Sequence, residues 1–410
     1  MSLFDLPTSD HKADSGASQF RFDEINPISS VAQGSTCTFE INPIGNNWMI
    51  PKLSYIDVRL KVLKGTAIVT TVNGTTTDFT QFKSYPASHI VTQVSHSVNG
   101  SLVESQNDCS EISAIQVRSM LPYEYNETFK NSYRIGTNNA AGVSAAEGPS
   151  LSPFDGTATT FSCFYQPPSA MFKIGQGLPG LRQRIVLTLA SDYKNCLSAA
   201  ANHANYVVTL DSIKLYACMV VPDAPIAPPR TVVLSLPMMN LAKQFTSGSS
   251  QTQTYSIAPS TDKVYVVKNS ATIDGTVPNS AHVFQSDVQD LQVDFAGQRQ
   301  PNQQYENLHS GSATRNSMRA FLDYAATTGT LVRSRGLPDT ETTWRTSPIY
   351  GFTFLTPPNS VSTSLTVRST VKSGGASGNI CVAYRHHKNV VISYNEDGIA
   401  ESVNVQENIK

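Results

Sequence analysis

The clearest pattern in the chain runs from Tyr55 to Val62, where Ile56, Val58, Leu60 and Val62 alternate with Asp57, Arg59 and Lys61. Strict alternation puts the apolar set on one face of an extended chain, which predicts a half-buried antiparallel strand. Cys37 to Ile41 alternates in the same way. Ile90 to Val98 and Leu102-Val103 flank Asn99-Gly100, and a second such dipeptide stands at Asn73-Gly74; both residue types accept positive φ, which makes the pair a strong hairpin signal. Phe161 to Tyr165, Arg184 to Leu189 and Tyr206 to Val221 continue the series, the last read as two strands broken near Asp211-Ser212.

A second series follows Thr231: Thr231 to Leu236, Tyr255 to Ile257, Val264 to Val267 and Val288 to Phe295, then Tyr350 to Leu355, Thr363 to Val371, Asn379 to Tyr384 and Val390 to Tyr394. Turn residues at Pro357-Pro358-Asn359, Gly374-Gly375 and Asn395 to Gly398 separate the last four. Each series is interrupted once by a helical pattern. Over 109–121 the signals are Asp108 as N-cap, Glu111 three residues later and a stop at Pro122. Over 314–326 Met318, Phe321, Leu322 and Ala325 have the spacing of an apolar helix face, and Gly329 ends it.

Between the two series lies Val221 to Arg230, whose prolines 222, 225, 228 and 229 lack backbone donors and hold their predecessors extended. It reads as a stiff connector. The halves on either side carry the same elements in the same order, offset by about two hundred residues, a repeat of structure without residue identity. The expected organisation is an N-terminal arm over 1–27, a first domain over 28–222, a Pro-rich linker over 223–230, a second domain over 231–405 and a tail over 406–410. Seven or eight strands and a short helix in each half predict an all-β protein of two tandem eight-stranded antiparallel jelly rolls.

Composition narrows the function. Charged residues are 15% of the chain and the net charge is −1, which argues against sequence-specific nucleic-acid binding, since phosphate recognition needs concentrated positive charge. The first residues contain early acids and no apolar segment, unlike a secretory signal, and no run reaches the roughly 18 apolar residues of a membrane helix. The six cysteines are scattered without close pairs and read as buried reduced thiols. The sequons at Asn73, Asn99 and Asn126 would matter only in a secreted protein. Gly65 to Ser88 and Gly136 to Thr160 are low in apolar periodicity and read as long surface loops.

Motif chemistry is weak throughout. Gly175-Gln176-Gly177-Leu178-Pro179-Gly180 has the letters of a dinucleotide fingerprint, yet a strand follows it where a phosphate-binding helix is required. His386 and His387 point to opposite sides of a strand, as His89 and His96 would, so neither pair chelates one metal; all four read as surface residues. Asp290 and Asp294 share a strand face, the arrangement of a glycosidase pair, but a solvated outer face is the simpler account. Gly142 to Ala146 only loosely resembles a nucleophile elbow. No catalytic, cofactor-binding or metal residue is assigned, and no cofactor is expected.

One resemblance is specific enough to use. Val293 to Tyr305 (Val-Asp-Phe-Ala-Gly-Gln-Arg-Gln-Pro-Asn-Gln-Gln-Tyr), the helix at 314–326, Ile349 to Phe354 and Val390 to Ile392 resemble the second jelly roll of double-jelly-roll major capsid proteins of the Polinton, adintovirus and virophage type. Leu178-Pro179-Gly180 before Arg184 to Leu189, and the strands at 206–221, are similar to the first. The resemblance spans about residues 28–405. It implies homotrimers in which six jelly rolls form a pseudo-hexameric capsomer, an icosahedral shell around double-stranded DNA, penton and minor capsid proteins as partners, location in the virion and no enzymatic activity. It does not say which residues form the trimer interface. The alternative from another class is a tandem β-sandwich carbohydrate-binding or adhesive surface protein.

Overall fold

The computed structural model describes residues 17–29, 31–42, 47–64, 85–119, 159–197, 206–222, 229–246, 250–270, 284–309, 315–329, 341–355, 363–373, 375, 377–396 and 399–407. In the first half these form β1 (Ala17–Ile25), β2 (Thr36–Ile41), β3 (Trp48–Met49), β4 (Tyr55–Lys64), β5 (Val91–Val98), β6 (Ser101–Asn107), helix α1 (Cys109–Ser119), β7 (Thr159–Tyr165), β8 (Leu178–Pro179), β9 (Gln183–Leu189) and β10 (Tyr206–Pro222). The second half has β11 (Thr231–Thr246), β12 (Gln251–Ser256), β13 (Lys263–Ser270), β14 (Val288–Phe295), β15 (Gln298–Tyr305), helices α2 (Arg315–Thr328) and α3 (Glu341–Thr346), then β16 (Tyr350–Thr353), β17 (Ser364–Val371), β18 (Gly378–Tyr394) and β19 (Ala400–Glu407).

Every pairing is antiparallel, and the strands make four sheets. In the first half β1, β10, β4 and β7 lie side by side, facing a sheet ordered β2-β9-β5-β6. In the second, β11-β18-β13-β16 faces β12-β17-β14-β15. Setting aside the two-residue β3 and β8 and the closing β19, the two halves repeat one strand order, that of a jelly roll. The helices occupy the same place in both, between the fifth and sixth long strands.

Alternation built these sandwiches. Ile56, Val58, Leu60 and Val62 are fully buried and meet Phe39, Ile185 and Leu187 of the opposing sheet in the first core. Val264, Val266, Val293, Phe295, Leu365 and Val367 do the same in the second. Matching hairpins sit at matching positions: Asn99 and Gly100 have φ of 48° and 83°, and Ala296 and Gly297 have 52° and 76°, the doubly positive turn that suits strand twist.

Several expectations need correction. Residues 17–25, inside the segment expected as an arm, are β1, the counterpart of β11 in strand order; residues 1–16 lie outside the described residues, as do 223–228 of the linker. β10 is a single strand with a bulge between Leu210 and Ser212, not two strands. β18 is also continuous through Arg385 to Asn389, because β11 pairs with it residue for residue from Met239 to Ser235. β11 extends past Pro237, tolerated because the strand lies at the sheet edge. Asp108 has a left-handed φ of 53° instead of an extended capping conformation, and its carboxylate takes the Lys243 ammonium at 2.5 Å. The strands β1, β3, β8 and β15 and helix α3 were not read from the sequence.

The stripe on α2 is the most consequential revision. Of the expected face, Ala325 is buried and Phe321 packs against the second core, beside Ser317, Ala320, Tyr324 and Thr327, whereas Met318 and Leu322 are 53% and 52% exposed. Of the expected surface loops, residues 65–84 and 136–158 lie outside the described residues, while Tyr85 caps the buried 3-10 turn Pro86–His89 and Thr159-Thr160 begin β7.

Candidate functional site: the seam between the sandwiches

The residues singled out for chemistry are dispersed. Asp290 accepts the Asn307 backbone N–H at 3.1 Å, and Asp294 pairs with Arg299 at 3.6 Å, as half-buried strand residues do. Gly177 leads into β8 and β9 with no helix after it; a Cβ there would lie 2.9 Å from the Trp48 ring, so glycine is required by packing. Gly142 to Ala146 lie outside the described residues. The six cysteines are buried free thiols, and burial pushes Cys37 up to about 12 and Cys218 up to about 11. Among the described residues no group of three or more His, Cys, Asp or Glu side chains could hold a metal. The pocket lined by Asp23, Met49, Leu178 and Met219 encloses about 20 Å³, room for a water and no substrate. No helix among the described residues is long and apolar enough to cross a membrane.

Of the four histidines read as surface residues, His89, His96 and His386 are buried and His387 is half-buried. His96 is fully buried with Nε2 3.0 Å from Gln183 Oε1, and burial lowers its pKa to about 4 despite that bond. His89 lies in a 3-10 turn, so strand alternation does not apply to it, and its Nδ1 is 3.0 Å from the Ser110 hydroxyl. His386 is buried beside Asn240 and His387 is 3.4 Å from Asp262. Each has a local partner that a sequence does not reveal.

What the chain builds with care is the junction of its halves. Val98, Val103, Met171 and Leu178 of the first sandwich form one buried cluster with Val232, Leu234, Leu236 and Met238 on β11 and Val390, Ile392 and Tyr394 on β18. Helix α1 belongs to the first half by sequence, yet Ile112, Ala114 and Ile115 pack in the core cluster of the second. Polar contacts then fix the register. Asn99 Nδ2 donates to the Ala400 carbonyl at 2.7 Å, Ser101 Oγ to the Val403 carbonyl at 3.1 Å, and Arg118 to Ser347 Oγ at 3.0 Å. Tyr324 Oη returns a bond to the Arg118 carbonyl at 3.0 Å, and the Gln106 side chain bonds the Met239 carbonyl.

Charges at the seam are neutralised locally. Burial raises the Glu104 carboxyl, opposed by the Ser169 hydroxyl at 2.6 Å and the Ala170 N–H at 2.7 Å. Burial lowers Lys173 to about 8, against the attraction of Glu104. Burial also works to raise Asp262, but its hydrogen bonds from Arg385 and His387 outweigh that and hold it well below the usual carboxylate range. Such an interior, apolar and hydrogen-bonded, resembles a domain core and makes the two sandwiches one unit.

No family model and no curated protein matches the chain in sequence. Solved structures do match. A chain of the Sputnik virophage superposes with a TM-score of 0.67 at 15% identity, covering 98% of this chain and 91% of that one. The mavirus major capsid protein gives 0.56 at 13% identity, over 98% and 93%, and the PBCV-1 virus capsid gives 0.58 at 10%, over 96% and 98%. The fold is that of the double-jelly-roll major capsid proteins. At such identities the likeness is one of fold, and it extends over both jelly rolls and the junction between them. The seam went unseen in the sequence because its apolar residues alternate on the same strands that build the cores.

Proposed function

We propose that this double jelly roll is a major capsid protein whose function is self-assembly. Three copies associate into a capsomer presenting six jelly rolls, and capsomers tile an icosahedral shell around a double-stranded DNA genome. The observation that carries the reading is the seam: two sandwiches of one strand order are locked together by a core-like junction, so each chain is a rigid double unit suited to pseudo-sixfold packing. The role is structural and not catalytic, with the virion as its location, other capsomers, penton and minor capsid proteins as partners, and domain limits near those of β1 to β10 and β11 to β19.

The test is the solution mass of the purified protein by light scattering after size exclusion at low micromolar concentration, followed by electron microscopy of the fractions. A stable mass of three chains and hexagonal particles in projection supports the proposal. A monomer at every concentration, with binding on a glycan array, transfers the assignment to an adhesive or carbohydrate-binding β-sandwich protein.

A further inference from the structure

We infer that the exposed stripe of α2 in one copy docks on an aromatic face of the first jelly roll in the next copy. The inference rests on the capsomer reading and adds its contact residues.

The template is inside the chain. In an antiparallel ladder, directly opposed residues project to the same side. Met239 opposes Arg385, Tyr265 opposes Ala383 and Val267 opposes Cys381, so these residues share one face of the sheet β11-β18-β13-β16. It is the side away from Val264, Val266 and Val382, which point into the sandwich. Helix α1 lies on that outer face: Ile112, Ala114 and Ile115 pack in one cluster with Met239, Tyr265 and Cys381, and Gln116 Nε2 reaches Met239 Sδ at 3.9 Å. The helix of one roll therefore covers the outer sheet face of the other.

The equivalent face of the first roll carries rings instead. Tyr55 opposes Tyr216 and Phe22 opposes Cys218, which places Phe20, Phe22, Tyr216, Tyr55 and Phe164 on the outer side of the sheet. Centroids run 5.8 Å from Phe20 to Phe22, 5.7 Å on to Tyr55, then 5.3 Å to Tyr216 and 4.5 Å to Phe164, a band crossing all four strands. It is open at one end, with Phe20 51% and Phe22 44% exposed. Paired charges rim it, Lys214 with Glu24 at 2.5 Å and Arg59 with Asp57 at 3.2 Å, leaving an apolar centre.

The helix that holds α1's place in the second roll is α2. Whereas α1 is buried along nearly all its length, α2 presents Met318, Leu322 and Ala326 outward at spacings of one turn, backed by Ala320 and Tyr324 on the inner side. Repeating the step that relates the first roll to the second carries α2 onto the aromatic band of a neighbouring copy. Each copy then offers a helix at one end and a ringed sheet at the other. That is a head-to-tail contact, which closes into a ring when the rotation per step allows it.

The test uses the full chain with two charge pairs, Met318→Glu with Leu322→Glu on the helix and Phe20→Glu with Phe22→Glu on the sheet. Each pair alters only exposed side chains, and the melting temperature of each variant reports that it folds; Met318→Leu with Leu322→Met serves as an apolar control. Expected is a drop from three chain masses to one for either charged variant, retention of three by the control, and a mass of two chains when the charged variants are mixed, because one intact helix meets one intact sheet and no ring can close. A wild-type trimer that survives both substitutions overturns the assignment of this surface while leaving the capsomer reading standing. A monomeric wild type removes the capsomer reading itself. Mixed variants that remain monomeric while each is folded also overturn the head-to-tail pairing.

Discussion

The Arg118 guanidinium, carried by α1 of the first jelly roll, donates to the Ser347 hydroxyl of the second at 3.0 Å, across a junction that buries both residues. Ser347 Oγ also accepts the Phe284 backbone N–H at 2.8 Å, and the guanidinium stands 5.8 Å from the Phe284 ring centroid. One side chain thus ties together the helix, a strand entry and a ring. Arg118→Ala removes the bond and leaves a void in the seam, and we expect a loss of about 2–4 kcal/mol in urea-induced unfolding. The rolls should then unfold in two separable steps where the parent shows one. An unchanged midpoint would show that the apolar cluster alone couples the halves.

His96 makes stability depend on pH. Its pKa is ordinarily 6.5 and is lowered to about 4 by burial, and among the described residues Nδ1 has no hydrogen-bond partner for an added proton. Between those two values the unfolded chain binds the extra proton, so this contribution is complete above pH 6.5 and is lost as the pH falls toward 4. The slope in that window approaches ~1.4 kcal/mol per pH unit for one group. Glu111, raised to about 6 by burial, works in the opposite direction, since its burial cost is relieved as the pH falls from 6 to 4.5. The comparison to make is parent against His96→Gln by denaturant unfolding from pH 7 to 4. The difference between them should shrink by several kcal/mol on acidification, and a constant difference would reject a neutral buried imidazole.

Much of this architecture was legible because period-two alternation is a local signal. Ile56 to Val62 and Val288 to Phe295 report their own burial, and Asn99-Gly100 reports its own turn. The unread elements lack that signal. β15 is Gln-Arg-Gln-Pro-Asn-Gln-Gln-Tyr and is a strand because β14 pairs with it through the turn at Ala296-Gly297. β1 was hidden by its position in a polar N-terminal stretch, and its rings face outward. The helical spacing of Met318 and Leu322 was visible, but spacing does not say which partner an apolar stripe awaits. In α2 the small inward residues Ser317, Ala320, Ala325 and Thr327 let the helix sit close to the sheet, with Tyr324 buried among them.

The second hairpin can be improved. Ala296 occupies φ of 52° in a turn whose counterpart in the first roll uses asparagine, and a left-handed residue with a Cβ costs about 1–2 kcal/mol unless it is glycine or a short polar side chain. Ala296→Asn should raise stability by ~0.5–1 kcal/mol, read as a higher thermal midpoint. A fall would mean that the packing of the Ala296 methyl against the second core outweighs the backbone strain.

Gly351 sets the height of α2 above its sheet. A Cβ built on this residue would lie 2.9 Å from Thr327 Cβ and 3.1 Å from the Tyr324 backbone Cα, so the helix sits against β16 at a distance only glycine permits. Backbone cannot swing aside as a long side chain can, and overpacking of this kind costs about 1–3 kcal/mol. Gly351→Ala should therefore lower the unfolding midpoint and lift or tilt α2. The displacement moves Met318 and Leu322 without changing them, so the proposed trimer should dissociate at a higher protein concentration than in the parent even where the monomer remains folded. Analytical ultracentrifugation across a dilution series measures that directly. Equal dissociation midpoints, alongside a lowered melting temperature, would separate the seating of α2 from assembly and place the contact elsewhere on the chain.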